Sequence, residues 1–362
     1  MKISILGAGS VGFAFAGYLG VSGYNVCLYE DSSFEKGIKD VKKHEGIHVT
    51  GAVEGFGEIN HVTTSIEEAV KHAEVIVIAV PANAHRVMAE ACAPYLEEGQ
   101  IILISPSKPF AAYEFATTIK EVGNTNRIYI AESSNIFACR KGETNDVNIV
   151  GMREHIEIAA LRSSDTDYVV QKIEKFLPGI ERSELLEITL NDIGILVHPA
   201  PAVLNAGWIE STEGNFDFYW EGMSPAVCNI LEKIDEERVA VGKALGIDLP
   251  TIFDYMQTEK AKENATLHEL IRSNELLGGP KIGTLVCPKH LEYRYITEDV
   301  PFGLVPFSEI GQVINIQTKY MDMIISLASA MNKVDYRKNG RNLTRMGIQA
   351  TSLDELKREI IK

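Results

Sequence analysis

Cysteine is scarce and scattered. The five cysteines, Cys27, Cys92, Cys139, Cys228 and Cys287, stand far apart in 362 residues, odd in number and with no Cys-x-x-Cys pair. That pattern excludes a disulfide framework or a zinc cluster, and the thiols read as reduced. No metal is expected. Basic residues are in deficit, 35 against 50 acidic, a formal charge of -15. Phosphate recognition needs a basic surface, so nucleic acid and anionic membrane are excluded as partners. Long apolar runs are missing as well: no stretch nears the ~20 residues of a bilayer span. The opening "MKISILGAGS" breaks into glycines too early for a signal peptide. Internal repeats and low-complexity linkers are absent. What is present, 45% hydrophobic residues over this length, is enough for two sizeable cores. The expectation is a soluble cytoplasmic protein of two domains that works on small molecules.

The first half alternates short apolar runs, "KISILGA", "NVCLYE", "EVIVIAV", "QIILISP", "RIYIAES" and "DVNIVGM", with stretches rich in Ala, Glu and Lys. Alternation of this kind predicts parallel strands with crossover helices, and runs without polar alternation fit strands buried on both faces. From about residue 188 the pattern becomes helical. "SPAVCNILEKIDEERVAVGKALGI" places Val227, Ile230, Leu231, Ile234, Val239, Val241 and Leu245 mostly at helical spacing, after a Ser224-Pro225 start and before Gly246 as a stop. "TLHELIRSNELL", "KYMDMIISLASAM" and "SLDELKREII" read the same way, the last with Ser352 and Glu355 as a cap. The fold class is therefore α/β followed by all-α: a doubly wound sheet over residues 1–187, then a helical domain over 188–362.

Gly7, Gly9 and Gly12 form G-x-G-x-x-G directly between the first strand and an Ala-rich helix. In that context Gly7 permits a tight turn, Gly9 leaves room for a pyrophosphate, and Gly12 lets helix and strand pack closely. The N–H groups of Ala8, Gly9, Ser10 and Val11 would face the phosphates. The second strand ends in Glu30, where an acid can accept from the adenosine ribose hydroxyls. The reading is a Rossmann domain for a nicotinamide dinucleotide. An acid at that position repels a 2′-phosphate and no arginine follows in "EDSSFEKG", so NAD(H) is favoured over NADP(H), with Lys36 as the nearest cation and Asp31 as a second acid.

Later strands end in Val80-Pro81, in Ser105-Pro106-Ser107 and in Glu132-Ser133-Ser134-Asn135, at the edge where open parallel sheets bind ligands. Val80 and Pro81 are assigned to the cofactor, and Ser105, Glu132 and Ser134 to substrate, although such residues also serve as caps and turns. His85 is placed on a helix face. Past the domain junction, "NDIGILVHPAPAVLNAGWIE" sets His198 before Pro199 and Pro201. Alone it reads as a core histidine beside a proline turn; behind a dinucleotide domain it becomes a candidate acid-base group. Pro199, lacking an N–H, would start a helix and aim the imidazole. "EYRYITEDVPFGLVPFSEIG" brings Arg294, Glu298 and Asp299 together ahead of a Pro-Gly turn, and by itself reads as a charged loop.

The glycine motif, "AESSNIFACR", "VHPAPAVLNAGWIE", "FDFYWEGMSPAV", "RYITEDVPFGLVP" and "KNGRNLTRMGI" together resemble the octopine/nopaline (opine) dehydrogenase family over nearly the whole chain. The resemblance implies a helical domain similar to the C-terminal domain of 6-phosphogluconate dehydrogenase. It implies a His198–Asp299 catalytic dyad, with Arg294 reaching the cofactor pyrophosphate and aiding domain closure, and a homodimer. The implied reaction is reductive condensation of an amino acid with a 2-oxo acid such as pyruvate. Ser133 and Ser134 stand where family members tend to have threonine. Two carboxylate substrates need anchors, for which Lys108, Arg140 and Arg341 are candidates. Trp208 is assigned to substrate, with Phe216, Phe218, Tyr219 and Trp220 as a possible wall. A dehydrogenase of hydroxy acids, ketopantoate or polyol phosphates is the alternative, disfavoured because no lysine adjoins His198 in sequence. A silent nucleotide sensor is a third reading.

Overall fold

The computed structural model describes residues 1–257, 265–274 and 287–360. The chain divides into two units, Met1–Ser107 with Ala111–Thr189, and Lys108–Phe110 with Leu190–Ile360. The break after Thr189 lies two residues beyond the boundary read from sequence, and Lys108–Phe110 packs with the second unit.

In the first unit, β1 (Lys2–Leu6), β2 (Asn25–Tyr29), β5 (His61–Thr63), β6 (Val75–Ile78), β7 (Ile101–Ile104), β8 (Tyr129–Ser133), β11 (Ile156–Ala160) and β12 (Ile180–Arg182) form a sheet ordered β12-β11-β8-β7-β6-β1-β2-β5. Every residue of "VIVI" and "IILI" in β6 and β7 is buried, as both-face packing requires; each such Val or Ile contributes about 1.5–3 kcal/mol. Strands β5 to β8 pair in parallel, whereas β11 runs antiparallel to β8.

"DVNIVGM" corrects the single-sheet expectation. It forms β10 (Asp146–Met152) in a separate sheet ordered β4-β3-β10-β9, with β3 (Gly46–Gly51), β4 (Gly55–Glu58) and β9 (Phe137–Lys141). Val147 and Ile149 point inward while Asn148 and Val150 are exposed, the alternation of a sheet with one covered face. Those inward residues meet Phe13, Phe15 and Phe137 in one core.

The second unit contains helices and no strand among its described residues. Pro225–Leu245 is its longest helix: Ser224 Oγ accepts from the Val227 N–H, Pro225 opens the first turn, and Gly246 closes it in the left-handed region. Leu267–Ser273, Lys319–Asn332 and Leu353–Ile360 occupy the other helical segments; the last three residues of "TLHELIRSNELL" and the last of "SLDELKREII" lie outside the described residues. No described helix is long and apolar enough to cross a membrane.

Candidate active site

The glycine turn joins β1 to the helix Ser10–Val21. Gly7 sits at φ +109°, and a Cβ there would stand 2.7 Å from Ala79 O and 2.6 Å from Val80 Cγ1, so Val80 closes the turn from the side. A Cβ on Gly12 would lie 1.8 Å from Gly7 O, whereas no heavy atom lies within 4 Å of a Cβ position on Gly9. The open side is thus at Gly9, at the N-terminus of the helix, and a dinucleotide pyrophosphate fits there, although the Ala8 N–H expected to face it is taken by Glu30. Glu30 ends β2, and its carboxylate accepts from the Ala8 N–H at 2.9 Å and the Asp31 N–H at 3.0 Å. The side chain of Lys141, from β9, donates to Ala8 O at 2.8 Å and Gly37 O at 2.9 Å and lies 3.6 Å over the Phe13 ring. Sequence gave no signal for that clamp, because Lys141 is 133 residues from Ala8. Pro81 is exposed at the start of the turn Ala82–Ala84.

The strand-end residues are satisfied inside the first unit. Ser133 Oγ donates to Ser105 Oγ at 2.8 Å, and Ser134 Oγ accepts from the Glu157 N–H at 3.1 Å. Glu132 is fully buried, accepting from Ser107 Oγ and from the Ala112 N–H, the latter at 2.6 Å. That makes it a cap for the helix Ala111–Val122. His85 is buried at the start of the helix His85–Cys92.

In the second unit His198 occupies the joint between the short helices Gly194–Val197 and Pro199–Leu204. Pro199 takes the first helical position, where its missing N–H costs nothing. Nδ1 of His198 lies 2.8 Å from Oδ2 of Asp299. "RYITEDVPFGLVP" is helical rather than a loop with a Pro-Gly turn. Arg294–Thr297 runs into a widened turn at Val300–Leu304 and on into Val305–Val313. The Asp299 N–H bonds back to Arg294 O and the Leu304 N–H to Asp299 O, each five residues away. Pro301 has no N–H for a regular bond, and the extra residue is taken up around Asp299.

Asp299 is 1% exposed. Burial pushes its carboxyl up, but Lys108 and His198 outweigh burial and hold it well below the usual carboxylate range. An ionised carboxylate only accepts, so Nδ1 of His198 carries a hydrogen toward Asp299 and Nε2 is the nitrogen not bound to it. Tyr295 stacks on the imidazole, ring centroids 4.0 Å apart and planes 11° apart, and its hydroxyl is 3.5 Å from that of Tyr219. Neither Tyr295 nor the approach of Lys108 is visible in the sequence.

The anchor candidates fare differently. Lys108 donates to Asp299 Oδ1 at 2.7 Å and Asp192 Oδ2 at 2.8 Å, so it belongs to the dyad rather than to a substrate carboxylate. Arg341 is fully buried and donates to Pro109 O at 2.8 Å. Arg140 is exposed on β9. Arg294 is exposed and pairs with Glu298 at 2.8 Å. Trp208 is 38% exposed and stacks on Phe216 at 4.0 Å, whereas Phe216, Phe218 and Tyr219 are buried. Trp220 lies under the Arg272 guanidinium.

A glycine turn of this build in an α/β unit, and an oriented histidine in a helical one, define an NAD(P)-dependent dehydrogenase. Comparison with known proteins narrows the class. Residues 181–332 match the family model for the NAD/NADP octopine/nopaline dehydrogenase α-helical domain, and residues 2–131 that for the NAD-dependent glycerol-3-phosphate dehydrogenase N-terminus. The chain is 32% identical over 347 residues to an opine dehydrogenase of Arthrobacter sp. (strain 1C), covering 95% of this chain and 94% of that one. Octopine dehydrogenase with NADH and L-arginine shares the fold at a TM-score of 0.76 and 19% identity, covering 98% and 97% of the two chains. A yersinopine dehydrogenase with NADP+ bound shares it at 0.70 and 15%, covering 99% and 97%. The chain belongs to the opine dehydrogenase family, whose members act on CH–NH bonds.

Proposed function

We propose that the protein joins the amino group of an amino acid to a 2-oxo acid such as pyruvate, with NADH favoured over NADPH, and that His198 is its acid-base group. The observation that carries this reading is the 2.8 Å bond from Nδ1 of His198 to Asp299, which leaves Nε2 as the single nitrogen for proton transfer. In the reductive direction the imidazolium Nε2–H gives its proton to the oxygen of the oxo acid, which takes its second hydrogen from the amine nitrogen and leaves as water, so that a protonated imine forms. A hydride delivered to the imine carbon from reduced nicotinamide, when bound, completes the product. In the oxidative direction neutral Nε2 takes the proton from the attacking water. Asp299 holds the ring in one tautomer and Tyr295 holds its plane. Gly7, Ala8, Gly9, Ser10, Val11 and Gly12 would cradle the pyrophosphate beside Val80 and Pro81, with Arg294 reaching it from the helical unit. Ser134 and Trp208 are the substrate contacts this reading assigns, while Ser105 and Glu132 are engaged within the first unit by Ser133 and the Ala112 N–H.

Glu30 supports the coenzyme preference because a carboxylate beside the ribose disfavours a 2′-phosphate. A second reading, direct reduction of an oxo acid to a hydroxy acid, gains from Lys108: the lysine that sequence did not place near His198 is there in space. Purified protein, NADH, pyruvate and a panel of amino acids separate the two. NADH oxidation that depends on the amino acid supports the condensation; equal oxidation with pyruvate alone overturns it, and no oxidation under any condition favours a nucleotide sensor.

A further inference from the structure

Lys108 is unused by the reaction as derived, yet it is only 11% exposed and fixed between two carboxylates. The bonds to Asp192 and Asp299 belong to a closed circuit. Asp192 receives Lys108 on Oδ2 and the Gly194 N–H on Oδ1 at 2.9 Å. Gly194 begins the short helix that ends at His198, and its carbonyl accepts from the His198 N–H at 3.1 Å. From His198 the circuit continues through Nδ1 to Asp299, and from Asp299 Oδ1 back to Lys108. A Cβ on Gly194 would stand 3.0 Å from Asp192 Oδ1 and 3.5 Å from both His198 Nδ1 and Lys108 Nζ. The circuit is therefore packed against the backbone that carries the histidine. Arg341 holds the far side, donating to Pro109 O from its side chain and to Pro301 O from its backbone.

We propose that Lys108 is the positioning residue of the acid-base pair: it fixes Asp299 and the His198 segment in one frame and sets the balance between imidazole and imidazolium. Without it, His198 would face the full charge of a buried carboxylate, which favours the imidazolium. With it, one oxygen of Asp299 is held by the ammonium at 2.7 Å while the other holds Nδ1 at 2.8 Å. The other groups around the ring are Asp192, Glu298 and Arg294 among the charges and Tyr219, Tyr293 and Tyr295 among the phenols. Of these, Asp192 bonds to Lys108 and to the Gly194 N–H, and Arg294 pairs with Glu298. Desolvation of Lys108 is opposed by Asp192, Asp299 and Glu298, which together keep its ammonium charged.

The proposal rests on His198 as the acid-base residue, so its test includes a readout that needs no turnover. The imidazole titration of His198 is followed by NMR in the full-length protein, assigned against His198→Gln, for Lys108→Met, Lys108→Arg and Asp192→Asn. Lys108→Met should move the midpoint up by about one pH unit and Lys108→Arg should restore it. Asp192→Asn should move it down, because Lys108 then acts on Asp299 with less opposition. The pH profile of amino-acid-dependent NADH oxidation should follow, with kcat of Lys108→Met down by up to about 100-fold and the Kd for NADH unchanged. Shifts of the same sign in Lys108→Met and Asp192→Asn, or no shift in either folded variant, would overturn the proposal. Both shifts without any turnover would leave Lys108 in place and overturn the reaction instead. Should Lys108→Met not fold, the Asp192→Asn shift and the Lys108→Arg midpoint decide.

Discussion

Nδ1 of His198 and Oδ2 of Asp299 stand 2.8 Å apart across 101 residues of chain, and Asp299 has its other oxygen on Lys108 at 2.7 Å. Removing the imidazole should therefore remove chemistry and spare the coenzyme site, whose glycine turn and Glu30 lie in the other unit. His198→Ala should lower kcat by about 10²–10⁴-fold with the Kd for NADH, read by fluorescence, within about twofold of the parent. Loss of NADH binding together with activity would instead mark His198 as a structural histidine.

Asp299→Asn tests orientation. The amide can donate where the carboxylate only accepts, so the imidazole can take the wrong tautomer, and kcat should fall by roughly 10³–10⁴-fold as for other triad-like arrangements. The same change leaves Lys108 beside one carboxylate. Breaking a buried pair costs about 3–5 kcal/mol, so the denaturant midpoint should drop as well. An active, fully stable variant would contradict both roles.

Acid should reveal the Asp299 contribution to stability. Its carboxyl is held below its ordinary value of 3.8 by Lys108 and His198, against the opposing effect of burial. A depressed folded value means stabilisation that is full above 3.8 and lost as pH falls through the folded value. The stability difference between the parent and Asp299→Asn should be constant near neutrality and shrink below about pH 4. A difference that grows on acidification would reverse the sign.

Glu30 combines a charge with a bond to the glycine turn. Glu30→Gln keeps an acceptor for the Ala8 N–H and removes the charge, so it should gain NADPH affinity while losing little for NADH. Glu30→Ala should lose NADH affinity more than NADPH affinity. Titration of both coenzymes against the three proteins checks this, and the opposite order would assign the preference elsewhere.

Tyr295 separates stacking from hydroxyl chemistry. Tyr295→Phe keeps the ring on His198 and should change kcat by less than about threefold, whereas Tyr295→Ala removes a contact worth about 0.5–1.5 kcal/mol, or roughly 2- to 12-fold. Equal losses in both would point to the hydroxyl, which faces Tyr219.

What the sequence disclosed and what it withheld have physical reasons. The glycine turn and the strands β1, β2, β6, β7 and β8 were legible because local steric demands and both-face burial leave plain patterns. The second sheet was not, because β3, β4 and β9 are half exposed, and β10, though read as a strand, was taken for a member of the main sheet. In the helical unit Ser224, Pro225 and Gly246 announced their helix, whereas the turn around Asp299 looked like a loop because proline, glycine and acids are dense there. Lys108 and Asp192 meet only through tertiary folding, 84 residues apart. Asp192, whose Oδ1 accepts from the Gly194 N–H two residues on, is an Asx-turn signal legible in the sequence just ahead of the histidine helix.

The widened turn has one more implication. A regular helix advances 100° per residue, so deleting Val300 and letting the helix run straight would rotate the segment after it by about that angle relative to Arg294–Thr297. The carboxylate and the apolar side chains of Phe302 and Leu304 could not then both keep their directions. The reacting geometry is thus encoded as a phase offset in a helix, and transplanting Asp299 onto a straight helix would carry the residue across without its bearing.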